Sequence, residues 1–317
     1  MERDRKGQAI DFSLSPNQLE VQELARDFAQ KEVAPLAREM DEQGAMPADL
    51  IRRMGEIGLL GGPLPEEYGG GGWDHISLVL AYEQLGIVDS SVRGLMTVHT
   101  SLVSQAVNNW GTAEQKQELL PALASGEQLG CYALTEENAG SDAASLETLA
   151  TERETGWELA GEKIWITSGG IADLALVFAT LDPEKRHAGI CAFLVPANSE
   201  GLKREPMPGV ELGHRAADHA RLVFTQCQVA HDSLLGKPGE GFKVAMSALD
   251  HGRLGVAAGA LGVAQACLEA SVEFARSRRQ FGKRIGDFEM IQASIAEMAA
   301  DVDAARLLVY RAAWLKD

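Results

Sequence analysis

Two short stretches carry the residue types best suited to chemistry, Tyr132-Ala-Leu-Thr-Glu-Glu-Asn-Ala-Gly-Ser-Asp142 and Lys163-Ile-Trp-Ile-Thr-Ser-Gly-Gly170. Each sets small hydroxyl residues and glycines against an aromatic, beside a strand-like run. Glycine lets the backbone approach a ligand closely, and Thr135, Ser141 and Thr167 offer short, rigid hydrogen-bonding groups. The combination suits a backbone that wraps around a flat, phosphate-bearing cofactor. Metal chemistry is not expected: Cys131, Cys191, Cys227 and Cys267 are widely spread with no CxxC or Cys/His spacing, and read as reduced thiols. His214 and His219 lack a third ligand and read as surface or loop residues.

The chain has 317 residues, 45% apolar and 24% charged, enough for two or three domains and a substantial core. A formal net charge of −17 argues against nucleic-acid binding, which needs Lys and Arg patches, but leaves room for a small anionic ligand. The Met-Glu-Arg-Asp-Arg-Lys start carries acids among its bases and no apolar core follows, so no signal or transit peptide is expected. The weakly polar stretch 254–266 is too short and glycine-rich to span a bilayer. A cytoplasmic protein without membrane insertion is expected.

Three zones must position the two stretches. The first reads as helical: Ser15, Pro16 and Gln18 form a helix start with a capping box, and Val21, Leu24 and Phe28 follow one face. Further helices are expected from about Ala48, with Leu50, Met54 and Ile57 inward, over 76–85, over 95–109, and from Thr112 to Gly126. From about 129 to 235 the pattern turns to strands at 157–160, 174–180, 189–195 and 221–229, a compact antiparallel β domain. Beyond Gly241 helices resume. Phe288, Ile291, Ile295, Met298, Val302, Ala305, Val309 and Ala312 repeat in a 3-4 spacing made to pack along another helix, while Leu307, Leu308 and Leu315 fall off that stripe. The expected class is α+β: an N-terminal helical domain (1–128), a middle antiparallel β domain (129–236) and a C-terminal helical bundle (237–317), incomplete.

This order of zones resembles the acyl-CoA dehydrogenase family over nearly the whole chain. The resemblance rests on the two stretches together with Pro65-Glu-Glu-Tyr-Gly-Gly70, Leu234-Leu-Gly236, Gly239-Glu-Gly-Phe242, Ala248-Leu-Asp-His-Gly-Arg253 and Arg279-Gln-Phe-Gly-Lys283. It implies bound FAD. Tyr132, Leu134 and Thr135 would line the flavin, with Gly140 and Ser141 near its phosphate arm and the thioester. Trp165 would lie against the isoalloxazine, Ile166 beside it, and Thr167 would hydrogen-bond near the reactive nitrogen. Asp250 and Arg253 would meet the CoA or pantetheine portion. Arg278 and Phe281 would reach the FAD of a neighbouring subunit, making a homo-oligomer, dimer or tetramer, part of cofactor binding. Read without the family, Trp165 is a core residue, Thr167 and Ser141 are turn or cap residues, and Asp250 merely pairs with Arg253.

The chemistry implied is α,β-dehydrogenation of an acyl thioester: a carboxylate takes the α-proton while the β-hydrogen leaves as hydride. Electrons would pass to an electron-transfer flavoprotein. The family places its base Glu near the C-terminus or on the long helix just before the arginine matching Arg253. The latter position is Gly252, so the base is expected beyond residue 317, in a chain that reads as lacking its C-terminal helices. Glu289 stands where the family has a Gln directed at FAD, and Glu137 replaces a Pro. For the substrate, Arg93 matches the arginine with which glutaryl-CoA dehydrogenases hold a distal carboxylate, although its companion Glu is here Gly86. Leu212-Gly-His-Arg-Ala-Ala217 and Leu222-Val-Phe-Thr-Gln-Cys-Gln-Val229 instead resemble the dehydrogenases of polyketide extender-unit pathways, which act on acyl groups tethered to a carrier protein. A short or carboxylated acyl thioester is expected. A flavin oxidase or monooxygenase, and a non-catalytic subunit or inactive shortened paralogue, are the alternatives.

Overall fold

The computed structural model describes residues 13–209 and 211–317; the N-terminal start lies outside them. Ser15 caps α1 (Pro16–Phe28) through the expected box, its hydroxyl accepting from Gln18 N at 3.3 Å while Gln18 Oε1 accepts from Ser15 N at 2.9 Å. A π-helical turn at Ala29–Val33 leads to α2 (Ala37–Gln43) and α3 (Ala48–Glu56). Leu50 and Met54 are buried as expected, whereas Ile57 falls at the cap of α3 and is only half-buried. The central helix, α4 (His75–Val88), is apolar on every side and packs against α1 and a long helix of the C-terminal zone. The helix expected over 95–109 is one rod in three parts: α5 (Ser90–Thr97), a π-helical segment (Val98–Ser104) and α6 (Gln105–Trp110). It begins earlier because Asp89 caps it, Oδ1 accepting from Val92 N at 2.9 Å. α7 (Ala113–Ser125) starts at the Thr112–Gln115 box and stops at Gly126, where φ is 74°.

The middle zone is one eight-stranded sheet: β1 (Gly130–Ala133), β2 (Leu149–Arg153), β3 (Gly156–Thr167), β4 (Leu174–Thr180), β5 (Ile190–Pro196), β6 (Leu202–Pro206), β7 (His219–Val229) and β8 (Leu234–Leu235). Their order is β6-β7-β3-β2-β4-β5-β8, with β1 against β4. The sheet is not purely antiparallel. β1 runs parallel to β4, with Gly130 opposite Leu174 through Ala133 opposite Val177. The hairpin of β2 and β3 lies between them in sequence and supplies the long connection a parallel pair requires. All seven residues of β4 are buried, as a strand covered on both faces should be.

α8 (Gly241–Ser277) and α9 (Glu289–Lys316) follow, joined by a hairpin of β9 (Arg279–Gln280) and β10 (Lys283–Arg284). At 37 residues α8 far outruns the stretch 254–266 and is apolar and long enough to cross a membrane. Here its glycine face serves close packing on α4, α5 and the π-helical segment. A Cβ on Gly255 would lie 2.8 Å from Thr97 and one on Gly262 2.4 Å from the Glu83 carbonyl. On α9 the apolar stripe holds through Val302 and Val309 and then drifts: Ala313 is buried and Ala312 exposed, because 3.6 residues per turn outruns a strict 3-4 repeat. Leu307, Leu308 and Leu315 remain exposed, as their off-stripe positions imply.

Candidate flavin and acyl site

The two motif stretches meet. β1 ends at Ala133, and the chain continues through Leu134 and Thr135 alongside β3, where Ile164 N donates to the Thr135 carbonyl at 2.9 Å. Lys163, wholly buried, donates from Nζ to the Leu134 carbonyl at 3.1 Å and to Glu136 Oε1 at 2.6 Å. Glu136 in turn accepts from Glu147 N at 2.5 Å and Thr148 N at 3.0 Å. One ion pair therefore ties both stretches to the loop entering β2. Sequence reasoning gave these residues no role, although a lysine inside an apolar strand and a glutamate after Thr135 already needed partners.

β3 bulges at this point. Lys163 lies opposite Leu222 and Ile166 opposite Ala220, so β3 has one residue more than β7 between those pairs. Within the bulge Trp165 takes φ of 58°, a conformation costly for any side chain, and its indole stands 51% exposed. Read from sequence alone it was a core residue; the bulge turns it outward. Ile166 faces the core, and Leu134 does too, so each offers a ligand only its backbone. Thr167 ends β3 opposite His219. Ser168, also left-handed at φ 61°, donates its N–H to the Ala217 carbonyl at 3.0 Å, and Gly170 N donates to Asp218 Oδ2 at 2.7 Å.

Tyr132 is buried, its hydroxyl donating to the Ala245 carbonyl on α8 at 3.2 Å and its ring 5.0 Å from Phe178. Gly140 and Ser141 lie on an exposed loop, and a Cβ on Gly140 would meet nothing within 4 Å. Beside them Asp142 is held by Arg186 at 2.9 Å. Asp250 and Arg253 pair with each other at 3.0 Å on the exposed side of α8. Gly252 is buried, and a Cβ there would lie 2.6 Å from Leu102 Cδ2.

Arg93 is only 7% exposed. Its Nη2 lies 3.1 Å from His214 Nε2, its Nε has no partner, and its side chain fills the space a Cβ on Gly259 would need, 2.3 Å from Nε. The surface-or-loop reading of His214 and His219 holds in part: His214 lies in a loop, and His219 opens β7. His214 is half-buried against Arg93, while His219 Nδ1 lies 2.7 Å from Glu211 Oε2 and its ring is edge-on to Trp165 at 6.5 Å. Arg278 caps α8, Phe281 lies in the turn of the hairpin that follows, and Glu289 opens α9. Phe281 is 91% exposed, with its ring 6.2 Å from Phe288.

The donors fit a flavin nucleotide. Among the described residues, the hydroxyls of Thr135, Ser141 and Thr167 make no hydrogen bond within the chain, and the buried Ser168 Oγ is unpartnered. They flank an outward-turned indole and an open glycine loop, a combination of stacking surface and donors that would suit a planar ring and phosphates. Among the described residues no group of three or more metal-ligating side chains occurs.

The chain matches three family models in order: acyl-CoA dehydrogenase N-terminal domain at residues 15–127, middle domain at 131–227 and C-terminal domain at 239–317. It is 42% identical over 303 residues to an acyl-CoA dehydrogenase of Bacillus subtilis, covering 95% of this chain and 79% of that one. Butyryl-CoA dehydrogenase from Megasphaera elsdenii superposes with a TM-score of 0.94 at 39% identity, covering 97% of this chain and 81% of that one. A glutaryl-CoA dehydrogenase in complex with glutaryl-CoA superposes with a TM-score of 0.93 at 36% identity, covering 97% and 78%. The chain belongs to the acyl-CoA dehydrogenase family, oxidoreductases that use FAD and act on the CH–CH bond of acyl thioesters.

Proposed function

We propose that this chain dehydrogenates a short acyl thioester whose far end carries a carboxylate. The observation that carries the reading is Arg93, a buried cation with an unpartnered Nε and no ion pair among the described residues. A buried guanidinium without a counter-charge is costly, and a carboxylate satisfies it with strong, bidentate hydrogen bonds. The close approach of α8 to α5 and the π-helical segment, at Gly252, Gly255 and Gly259, supports a short acyl chain. The likeness to the glutaryl-CoA complex supports the same assignment.

FAD, when bound, accepts the β-hydrogen as hydride. We assign its contacts to Tyr132, Leu134, Thr135, Gly140, Ser141, Trp165, Ile166 and Thr167, Leu134 and Ile166 through backbone groups alone. The outward indole supplies a stacking face, the free hydroxyls supply donors, and the Lys163–Glu136 pair fixes the spacing of the two stretches. The exposed Phe281 hairpin, with Arg278 and Glu289, supports an oligomer in which these residues meet a neighbouring subunit's cofactor. We assign Ser141, Asp250 and Arg253 to the carrier, CoA or acyl carrier protein. The proton acceptor is a carboxylate, and Glu136, Asp142 and Asp250 are each committed to a cation. We place the domain boundaries after residues 128 and 236, and take the electron acceptor to be an electron-transfer flavoprotein in the cytoplasm.

Equilibrium binding of glutaryl-CoA and butyryl-CoA to the FAD-loaded protein tests the assignment. Arg93→Ala should weaken the first by about tenfold or more and leave the second nearly unchanged, as loss of a charged hydrogen bond requires. An unchanged preference rules out Arg93 as the carboxylate receptor.

A further inference from the structure

We infer that His214 is a positioning residue for Arg93 and so helps decide which acyl end the site accepts; this rests on the reading of Arg93 as carboxylate receptor. The Arg93 guanidinium can only donate, so His214 Nε2, 3.1 Å away, must accept through its lone pair. The imidazole is then neutral, with its proton on Nδ1. It fixes one arm of the fork and leaves Nε unpartnered. A neutral acceptor orients the arginine without cancelling its charge. A carboxylate in the same place would have formed an internal ion pair and closed the receptor.

The backbone around His214 is built for this contact. His214 is left-handed at φ 57°, strain that persists only where the surroundings enforce it. Its carbonyl accepts from Ala217 N at 3.0 Å, and its ring lies against α5 because residue 94 is glycine: a Cβ there would sit 3.0 Å from Cε1 and Nδ1. Asp218 at the other end of the turn, also left-handed, holds Gly170 N, so one loop serves both Arg93 and the flavin-facing stretch.

The charged groups that act on His214 are Arg93 on α5, His219 on β7 and Glu211 before the turn; Asp89, the cap of α5, and Tyr82 on α4 act on Arg93, and Asp41 on α2 reaches the neighbouring Arg215 at 3.9 Å. Burial first, then Arg93 and His219, holds His214 below the ordinary histidine range. Protonating it removes the lone pair and places a second cation beside Arg93. The preference for a carboxylated acyl end should therefore rest on neutral His214.

Calorimetric binding of glutaryl-CoA and butyryl-CoA to the FAD-loaded wild type, Arg93→Ala, His214→Phe and His214→Gln tests this. His214→Phe should weaken glutaryl-CoA by about tenfold and butyryl-CoA by less than about twofold, and His214→Gln, whose amide oxygen can accept from Arg93, should restore most of the loss. The wild-type preference for glutaryl-CoA should fall only as pH is taken below the ordinary histidine range, where His214 gains its proton, while the Gln variant's stays flat. If Arg93→Ala abolishes the preference but both His214 variants keep it at every pH, His214 has no positioning role. If Arg93→Ala itself keeps the preference, the receptor reading fails instead. Should the Phe variant not fold, the Gln variant and the two pH profiles decide between the same outcomes.

Discussion

Lys163 and Glu136 form a buried ion pair, Nζ to Oε1 at 2.6 Å, that ties the stretch after β1 to the end of β3. Removing one partner strands a buried charge, a loss of about 3–5 kcal/mol, whereas removing both spares that charge and leaves the Glu147 and Thr148 N–H groups and the Leu134 carbonyl without these partners. Lys163→Met should therefore destabilise strongly and release FAD. Lys163→Met combined with Glu136→Leu should recover part of the stability without recovering FAD. Urea unfolding and flavin absorbance after gel filtration measure the two effects separately. Equal FAD retention in the double variant and the wild type would show that the pair does not set the site.

The same pair makes a signed pH prediction. Burial pushes the Lys163 ammonium down to about 8, with Glu136 opposing the shift. Between about 8 and the ordinary lysine value near 10.4 the unfolded chain binds the extra proton, so this group's contribution to stability rises with pH across that window. For Glu136, burial acts upward, but the Lys163 charge and the hydrogen bonds from Lys163, Thr148 and Glu147 together hold the carboxyl below its ordinary value. Its contribution is full above the ordinary carboxylate range and is lost as pH falls through the lowered pKa. Urea midpoints against pH should show the alkaline rise in the wild type and not in Lys163→Met, and a shallower acid limb in Glu136→Gln.

Trp165 allows a separation of ligand binding from folding. Because its indole is about half exposed, Trp165→Ala should change stability by less than about 1 kcal/mol. Flavin retention should nevertheless fall, since the stacking face is lost. Thermal melting of the apo-protein beside FAD titration by fluorescence quenching distinguishes the two. A large drop in apo stability with unchanged FAD affinity would return Trp165 to a structural role.

Much of this site was legible in the sequence, because local chemistry writes local structure. Ser15 with Gln18 and Thr112 with Gln115 announced their capping boxes, and 174–180 announced a buried strand by an unbroken apolar run. The outward Trp165 was not legible without the family, since a bulge arises from register against β7, a relation between segments over fifty residues apart. His214 was missed for a similar reason. Its partner Arg93 is 121 residues away, and only the left-handed turn before β7 brings them together. The parallel pairing of β1 escaped because strand direction is set by connections, which composition does not encode.

Gly252 offers the sharpest test of the reaction itself. It lies on α8 between Asp250 and Arg253, where the family resemblance would put a base on this helix, and has no side chain to offer. A Cβ there would press on Leu102 Cδ2 at 2.6 Å, so Gly252→Glu alone must displace that leucine. Leu102→Ala makes room at about 2–5 kcal/mol, the usual cost of such a truncation. Combined with Gly252→Glu, part of that cavity refills, so the double variant should be more stable than the sum of the single losses. A correctly placed carboxylate is worth about 10²–10⁴ in rate as a general base. Anaerobic mixing of the flavin-loaded double variant with glutaryl-CoA should bleach the flavin faster than the parent by at least about tenfold, a conservative share of that range. A folded, flavin-loaded double variant that bleaches no faster would mean that position 252 does not face the α-carbon, and that α8 contributes only the wall of the acyl site.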